Sequence, residues 1–139
     1  MHARERKYHR ILAEYFERYP MFFDEKREKP NVRKVVELPW QQAQAGMSEE
    51  LEKTLMDFLF LQAKVDAGMV QGLIEDYGLA PDLSSETKLV GGAVRLSSHV
   101  VSLDKEQLAG QLLGRLLDRK EGAIISLLGG HAGIREAHG

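Results

Sequence analysis

The sequence predicts an all-α protein, a solenoid-like bundle of about seven to eight short antiparallel helices. Apolar residues recur at helical spacing through most of the chain. No segment shows sustained alternation of apolar and polar residues between hairpin turns, and the short links favour antiparallel neighbours. The chain has 139 residues, 43% apolar and 29% charged, which is the size and composition of one folded domain.

Residues 1–23 are predicted to form an N-terminal unit with a helix over 3–19. Its apolar side chains share one helical stripe: Tyr8, Ile11, Leu12, Tyr15, Phe16 and Tyr19. We expect this stripe to meet a partner surface. Pro20 ends the helix, and the charged residues 24–30 are predicted to be an exposed linker that acts as a hinge.

A second helix is predicted over residues 32–45. Asn31 suits its N-cap, and Gly46 suits the left-handed position that follows a helix. Pro39 removes an amide donor inside this helix, so a kink or a restart is expected near it. Ser48 is the predicted N-cap of a third helix.

Five further helices complete the predicted order. Two lie within 57–77, divided at Gly68, and the others cover 86–102, 105–117 and 120–128. Asp104 is the expected N-cap of the helix over 105–117. Residues 31–128 are therefore predicted to be a helical-repeat-like domain, although no clean sequence period of about 34 or 40 residues accompanies it. Residues 129–139 are predicted to be a flexible, glycine-rich tail.

Sequence motifs for catalysis are not found. The chain has no cysteine, its five histidines lack zinc-ligand spacing, and it contains no phosphate-binding glycine loop. Carboxylates such as Asp57, Asp66, Glu75 and Asp76 are interpreted as caps or solvated faces, because general acid–base work requires a buried group with a raised pKa. Ser97 and His99 point in different directions on a helix. We expect no catalytic residue, no metal, no cofactor and no ATP binding.

Charge and hydropathy narrow the partner classes. Residues 1–36 hold ten basic and six acidic side chains, and the rest hold nine and fifteen. Because acidic and basic residues interleave in the first third, a solvated helix face is favoured over nucleic-acid binding. No apolar run reaches the about 20 residues of a membrane span, and the charged first residues lack the apolar run expected of a signal peptide. A cytoplasmic location with neither nucleic-acid nor membrane partner is expected.

Two residues have open interpretations. Trp40, the single tryptophan, follows Pro39 and is expected to be a buried anchor at the kink; an exposed Trp40 would instead indicate a contact point for a partner. Lys64 lies within an apolar run. It is predicted either to extend its stem over the core to water or to pair with an acid such as Asp57 or Asp66.

Two strings stand out in order along the chain. The first is Pro30-Asn31-Val32-Arg33-Lys34 with Glu37-Leu38-Pro39-Trp40-Gln41 and Ala45-Gly46, and the second is Asp57-Phe58-Leu59-Phe60-Leu61-Gln62-Ala63-Lys64-Val65-Asp66-Ala67-Gly68. Together they resemble the helical domain of the apoptotic protease-activating factor type, over residues 5–128. In that family the domain lies between a STAND-class signalling NTPase module and a WD-repeat β-propeller.

The resemblance implies structural roles and no catalytic ones. The residues that match the family motif are Pro39, Asp57, Phe60, Leu61, Ala63, Lys64 and Gly68. The first helix resembles the end of the winged-helix region that follows such an NTPase. Gly130-His131 with Gly133 resembles the opening of a WD repeat. The chain departs from the family pattern because it contains neither neighbouring module.

The leading expectation is a non-enzymatic helical spacer and protein-interaction module of a STAND-type signalling protein with WD repeats. Its partners would be the neighbouring modules or a partner helix, and an exposed first-helix stripe would favour self-association. The candidate interaction surface consists of Tyr8, Tyr15, Phe16 and Trp40. The alternative is a free-standing adaptor that binds a peptide or helix in a groove between helices. A small helical enzyme would require a pocket with converging polar groups, and the sequence names none.

Overall fold

The computed structural model describes residues 3–119 and 121–129, and within them the all-α prediction is confirmed. The helices are α1 (Ala3–Glu17), α2 (Val32–Gln44), α3 (Ser48–Leu55), α4 (Phe58–Asp66), α5 (Val70–Asp76), α6 (Ser85–Leu103), α7 (Leu108–Leu116) and α8 (Gly122–Gly129), with one 3₁₀ turn at Lys105–Gln107. These residues contain no strand, only an isolated antiparallel bridge between Phe22 and Pro30. The predicted tail beyond Gly129 lies outside the described residues.

Each helix packs mainly on its neighbours in sequence. The second helix, α2, contacts α1, α3, α4 and α5, and α6 contacts α5, α7 and α8. One continuous apolar core runs from α2 to α8 and contains Leu51, Leu61, Leu73, Val90 and Leu112 among its buried residues. Helices α2 to α8 therefore bury their apolar sides in one shared core, whereas α1 packs on α2 through a separate, smaller cluster.

The predicted linker at 24–30 is an exposed, closed turn. The Phe23 amide donates to the Lys29 carbonyl over 2.8 Å. The Asp24 carboxylate accepts hydrogen bonds from the Glu28 and Lys29 amides, and these bonds lower the pKa of Asp24. At the base of the turn, the Asn31 amide donates to the Met21 carbonyl over 2.7 Å. The two ends of the segment are therefore held side by side.

Local signals place most helix ends correctly. The Asn31 side chain caps α2 through the Lys34 amide, and the Ser84 side chain caps α6. Gly46 and Gly68 have φ values of 71° and 78°, the left-handed conformation that favours glycine after a helix. The Ser48 prediction is wrong: the N-cap of α3 is Met47, and the Ser48 hydroxyl instead donates to Asp82 over 3.3 Å.

The predicted restart near Pro39 is also wrong. Pro39 lies inside α2, which continues from Val32 to Gln44. A proline lacks the amide that would bind the carbonyl four residues earlier, here that of Val35. The Lys64 ammonium donates to this carbonyl over 2.7 Å, so the Val35 carbonyl has a donor from α4 instead.

The described helices include none long and apolar enough to cross a membrane.

Candidate interaction surfaces

The first helix buries only part of the apolar stripe predicted for it. Ala13 and Phe16 are buried, whereas Tyr8 is 67% exposed and Ile11, Tyr15 and Tyr19 are also exposed. Ala13 packs against Ala45 and Met47, which lie between the end of α2 and the start of α3. Phe16 therefore belongs to the interior of the protein, and the other aromatic members of the stripe stay on the surface.

The exposed stripe of α1 consists of Tyr8, Ile11 and Tyr15, and Tyr19, just beyond the helix end, extends it. The Tyr15 ring lies 5.1 Å from that of Tyr19, and the Tyr19 hydroxyl donates to that of Tyr15 over 3.2 Å. This bond raises the pKa of Tyr19. The three tyrosines and the isoleucine together form an amphipathic surface, which is the composition favoured at protein interfaces.

The C-terminus of α1 is joined to α2 by Lys34. Its ammonium donates to the Glu17 carbonyl over 3.1 Å and also to the Tyr19 carbonyl. These carbonyls belong to the last turn of α1 and the residues after it, where a helix lacks its own donors. The Lys34 side chain is buried where it reaches these carbonyls, and burial lowers the pKa of Lys34.

The second motif string, residues 57–68, supplies the buried side chains of α4. Phe60, Leu61 and Ala63 are fully buried. Asp57 is the N-cap of α4, since its carboxylate accepts the Leu59 amide over 3.0 Å. Burial raises the pKa of Asp57, despite this hydrogen bond and the nearby Lys34 charge. The buried positions of the motif therefore build the scaffold, and Asp57 caps it.

Lys64 connects three helices. The predicted pairing with an acid is confirmed, although the acid is neither Asp57 nor Asp66. The Lys64 Nζ atom lies 2.9 Å from Oδ2 of Asp76 in α5, and it also donates to the Val35 carbonyl in α2. The lysine is only 3% exposed. Burial raises the pKa of Asp76 to about 6, because desolvation outweighs the attraction of the Lys64 ammonium.

Further ties join the remaining helices. The Tyr77 hydroxyl donates to the Leu55 carbonyl over 2.7 Å, which links the end of α5 to α3. Glu52 of α3 accepts hydrogen bonds from the Ser84 amide and the Thr87 hydroxyl at the start of α6. Arg115 of α7 donates to Ser97 and to the Leu96 carbonyl in α6. Long-range side-chain hydrogen bonds therefore join the helices in addition to the apolar core.

Trp40 is 49% exposed, so its predicted burial at the kink is wrong. It lies in a groove between α2 and α5, hereafter the Trp40 groove, with a volume of about 390 Å³. The groove is lined by Val36, Glu37, Trp40, Lys64, Met69, Gly72, Glu75, Asp76 and Leu79. Positions 32, 36 and 40 share one face of α2, and all three side chains are exposed.

The described residues contain no cluster of three or more histidine, aspartate or glutamate side chains suited to a metal ion. Ser97, which the sequence placed beside His99, is buried and accepts a hydrogen bond from Arg115 Nε over 2.8 Å. That bond gives Ser97 a structural partner in α7.

Sequence reasoning did not anticipate several of these residues. The partnership of Lys64 with Asp76 joins positions twelve apart across the Gly68 turn, and no local pattern indicates it. No local pattern indicates that Lys34 binds the carbonyls at the end of α1 either. One signal was available: Pro39 deprives the Val35 carbonyl of its donor, which predicts that some other donor reaches it.

The comparisons with known proteins give one partial likeness. The chain is 33% identical over 93 residues to NACHT domain- and WD repeat-containing protein 1 of Mus musculus. The aligned segment covers 63% of this chain and 6% of that protein, so the chain spans a small part of its relative's length. No family model and no solved structure matches the chain.

Proposed function

We propose that this chain is a non-enzymatic helical spacer and protein-interaction module of a STAND-type signalling protein with WD repeats. The observation that carries the proposal is the set of side-chain ties between helices. Lys34 joins α1 to α2, Lys64 joins α4 to α2 and α5, and Glu52 joins α3 to α6. A module that transmits position between two neighbours needs this kind of stiffness.

The likeness to a protein named for a NACHT domain and WD repeats supports the same proposal. The matched segment covers 6% of that protein, as a short connecting module would. The resemblance of the two motif strings to a family whose helical domain lies between an NTPase and a propeller supports the same role. In this role the chain positions its neighbours and performs no reaction of its own.

Stiffness can be measured directly, because the chain has no cysteine and accepts a pair of site-specific labels. Spin labels at Lys7→Cys in α1 and Leu103→Cys at the end of α6 would sit on exposed positions. Pulsed dipolar spectroscopy is expected to give one narrow distance distribution. Adding Lys34→Met is expected to broaden it, since that change removes the donor at the end of α1.

A matched control keeps the same labels and adds Lys53→Met, a lysine of α3 that lies at the end of its own helix. The control is expected to leave the distribution narrow. A broad or two-peaked distribution in the labelled parent chain would contradict the spacer proposal.

The exposed stripe of α1 is the proposed contact surface for the module that precedes the spacer. In the isolated chain this apolar surface would contact a second copy, because burial of exposed aromatic rings is favourable. Sedimentation velocity is expected to show association that increases with protein concentration. Tyr15→Asp is expected to weaken it about tenfold or more, since a charge at an apolar interface must be desolvated.

The control for this prediction is Leu103→Asp, which places the same charge on an exposed apolar residue of α6. It is expected to sediment as the parent does. If parent and Tyr15→Asp are both monomeric at every concentration, the stripe is not a contact surface for a second copy.

The second candidate function is a helical adaptor that binds a partner segment. Its specific support is the exposed ring of Trp40 in an open groove between α2 and α5. A tryptophan with this exposure is favoured at binding surfaces and contributes little to the core. The spacer and adaptor roles use different surfaces of the chain.

A further inference from the structure

We propose that the Trp40 groove binds a partner segment that carries an arginine or lysine side chain beside an apolar residue. The inference deepens the adaptor role and rests on it, while the spacer proposal is independent of it. It names the chemistry of the partner, which follows from the shape, charge and aromatic content of the groove.

The charge of the groove is the first argument. Glu37, Glu75 and Asp76 supply three carboxylates to its lining, and Lys64 supplies one ammonium. The Lys64 ammonium is already bound by Asp76 and by the Val35 carbonyl. The remaining carboxylates are Glu75 and Glu37, and Glu37 accepts a hydrogen bond only from the uncharged Gln41 amide, over 3.3 Å. They leave a negative groove, so a cation is the complementary partner group.

The aromatic ring is the second argument. Arg33 lies over the Phe16 ring at 5.8 Å, and Lys64 lies over the Phe60 ring at 5.7 Å. Among the described side chains no cation is recorded over Trp40, although tryptophan is the most favourable ring for such a contact. An incoming guanidinium could therefore stack on Trp40 and bind Glu37 or Glu75.

The shape of the groove is the third argument. Gly72 lies in the groove wall formed by α5, and a Cβ atom there would lie 3.4 Å from Cε of Lys64. Because Gly72 has no side chain, this part of the groove stays open to a partner side chain. Val36, Met69 and Leu79 supply apolar surface around it, which suits an apolar neighbour of the cation.

A second copy of this chain is the main competing occupant. The groove between α6 and α7 is lined by Lys88, Arg115 and Arg119 and, among the residues that the structure describes, by no acidic residue. Its charge is opposite to that of the Trp40 groove. However, Arg115 is engaged by Ser97 and the Leu96 carbonyl, and Lys88 and Arg119 line a concave surface, which cannot enter another groove. A separate basic segment therefore fits the Trp40 groove better than this surface does.

Fluorescence offers a readout confined to the site, because Trp40 is the single tryptophan of the chain. The probes are three blocked, tryptophan-free alanine-based helical peptides with two leucines one turn apart. The variable position beside them holds arginine, its uncharged isostere citrulline, or glutamate. We expect the arginine peptide to shift Trp40 emission saturably and to bind about tenfold more tightly than the citrulline peptide.

Two variants with matched shape test the acidic contribution. Glu75→Gln is expected to weaken binding of the arginine peptide by about three- to tenfold and to leave the citrulline peptide unaffected. Glu25→Gln removes the same charge from the exposed 24–30 turn and is expected to change neither. Circular dichroism confirms that both variants remain helical.

Several results would overturn the inference. Equal binding of the arginine and citrulline peptides would show a merely apolar groove, which leaves the adaptor role standing without a basic partner. Binding of none of the three peptides at millimolar concentration would reject the adaptor role as well. Trp40 emission that changes with protein concentration alone, and no longer does so after Arg119→Gln, would assign the groove to a second copy.

Discussion

Lys64→Met is expected to lower the free energy of unfolding by about 3 kcal/mol at pH 8. Methionine keeps most of the buried stem but removes the ammonium that Asp76 and the Val35 carbonyl both bind. A buried carboxylate and a buried carbonyl would then lack their donor, and both losses destabilise the folded state. Urea unfolding monitored by circular dichroism measures the change.

The cost of Lys64→Met should depend on pH. The Lys64 ammonium lowers the pKa of Asp76, so in Lys64→Met this carboxyl is expected to take up its proton at a pH above the parent value of about 6. At pH 5 Asp76 is then neutral, and the cost is expected to shrink to about 1 kcal/mol, that of the unsatisfied Val35 carbonyl. Adding Asp76→Asn to Lys64→Met is expected to restore most of the stability at pH 8. A cost that is the same at pH 5 and pH 8 would contradict the buried ion pair.

Protonation of Asp76 also makes the stability of the parent chain depend on pH. Burial raises the pKa of Asp76 from 3.8 to about 6, so between these values the folded chain binds more protons than the unfolded chain. Stability from this group is therefore fully present below pH 4 and is lost as pH rises through 6. The loss is about 3 kcal/mol at roughly 1.4 kcal/mol per pKa unit, measured as the difference from Asp76→Asn.

Gly91→Ala is expected to lower the free energy of unfolding by about 2 kcal/mol. A Cβ atom at Gly91 would lie 2.8 Å from Cγ and Cδ1 of the Tyr77 ring, closer than packed atoms approach. The ring cannot move freely, because the Tyr77 hydroxyl donates to the Leu55 carbonyl over 2.7 Å. Burial also raises the pKa of Tyr77, so this hydroxyl remains a donor throughout the neutral range.

Gly92→Ala is the matched control in the same helix. No atom lies within 4 Å of a Cβ built at Gly92, so alanine meets open space there. The substitution is expected to raise the free energy of unfolding by about 0.5 to 1 kcal/mol through helix propensity alone. If both alanines stabilise α6 equally, the close approach of Tyr77 is not what requires Gly91.

The positions of the helices were predictable because their signals are local. Caps such as Asn31 and the left-handed glycines Gly46 and Gly68 act within one turn of the chain. The periodic apolar pattern of each segment fixed its class for the same reason. The 3₁₀ turn at Lys105–Gln107 was absorbed into the predicted seventh helix, since the two helix types share most of their preferences.

The choice between faces was not predictable from hydrophobicity. On α1 the large side chains of Tyr8 and Tyr15 are exposed, whereas Phe16 and the small Ala13 are buried, Ala13 against Ala45. A small residue lets two helices approach closely, and this advantage depends on the partner helix. The burial of Trp40 was predicted wrongly because a kink was expected at Pro39. The spacing of four residues between Val36 and Trp40 already placed these two side chains on the face of α2 opposite Leu38.

Pro39 has a consequence for protein engineering. Design practice removes prolines from helix interiors, because each one forfeits a backbone hydrogen bond. Here a substitution to alanine would return the ordinary amide to the Val35 carbonyl and set it in competition with Lys64. The new backbone hydrogen bond within α2 would form at the expense of the Lys64 bond that holds α4 against α2. A substitution that improves one helix would therefore weaken the packing between two.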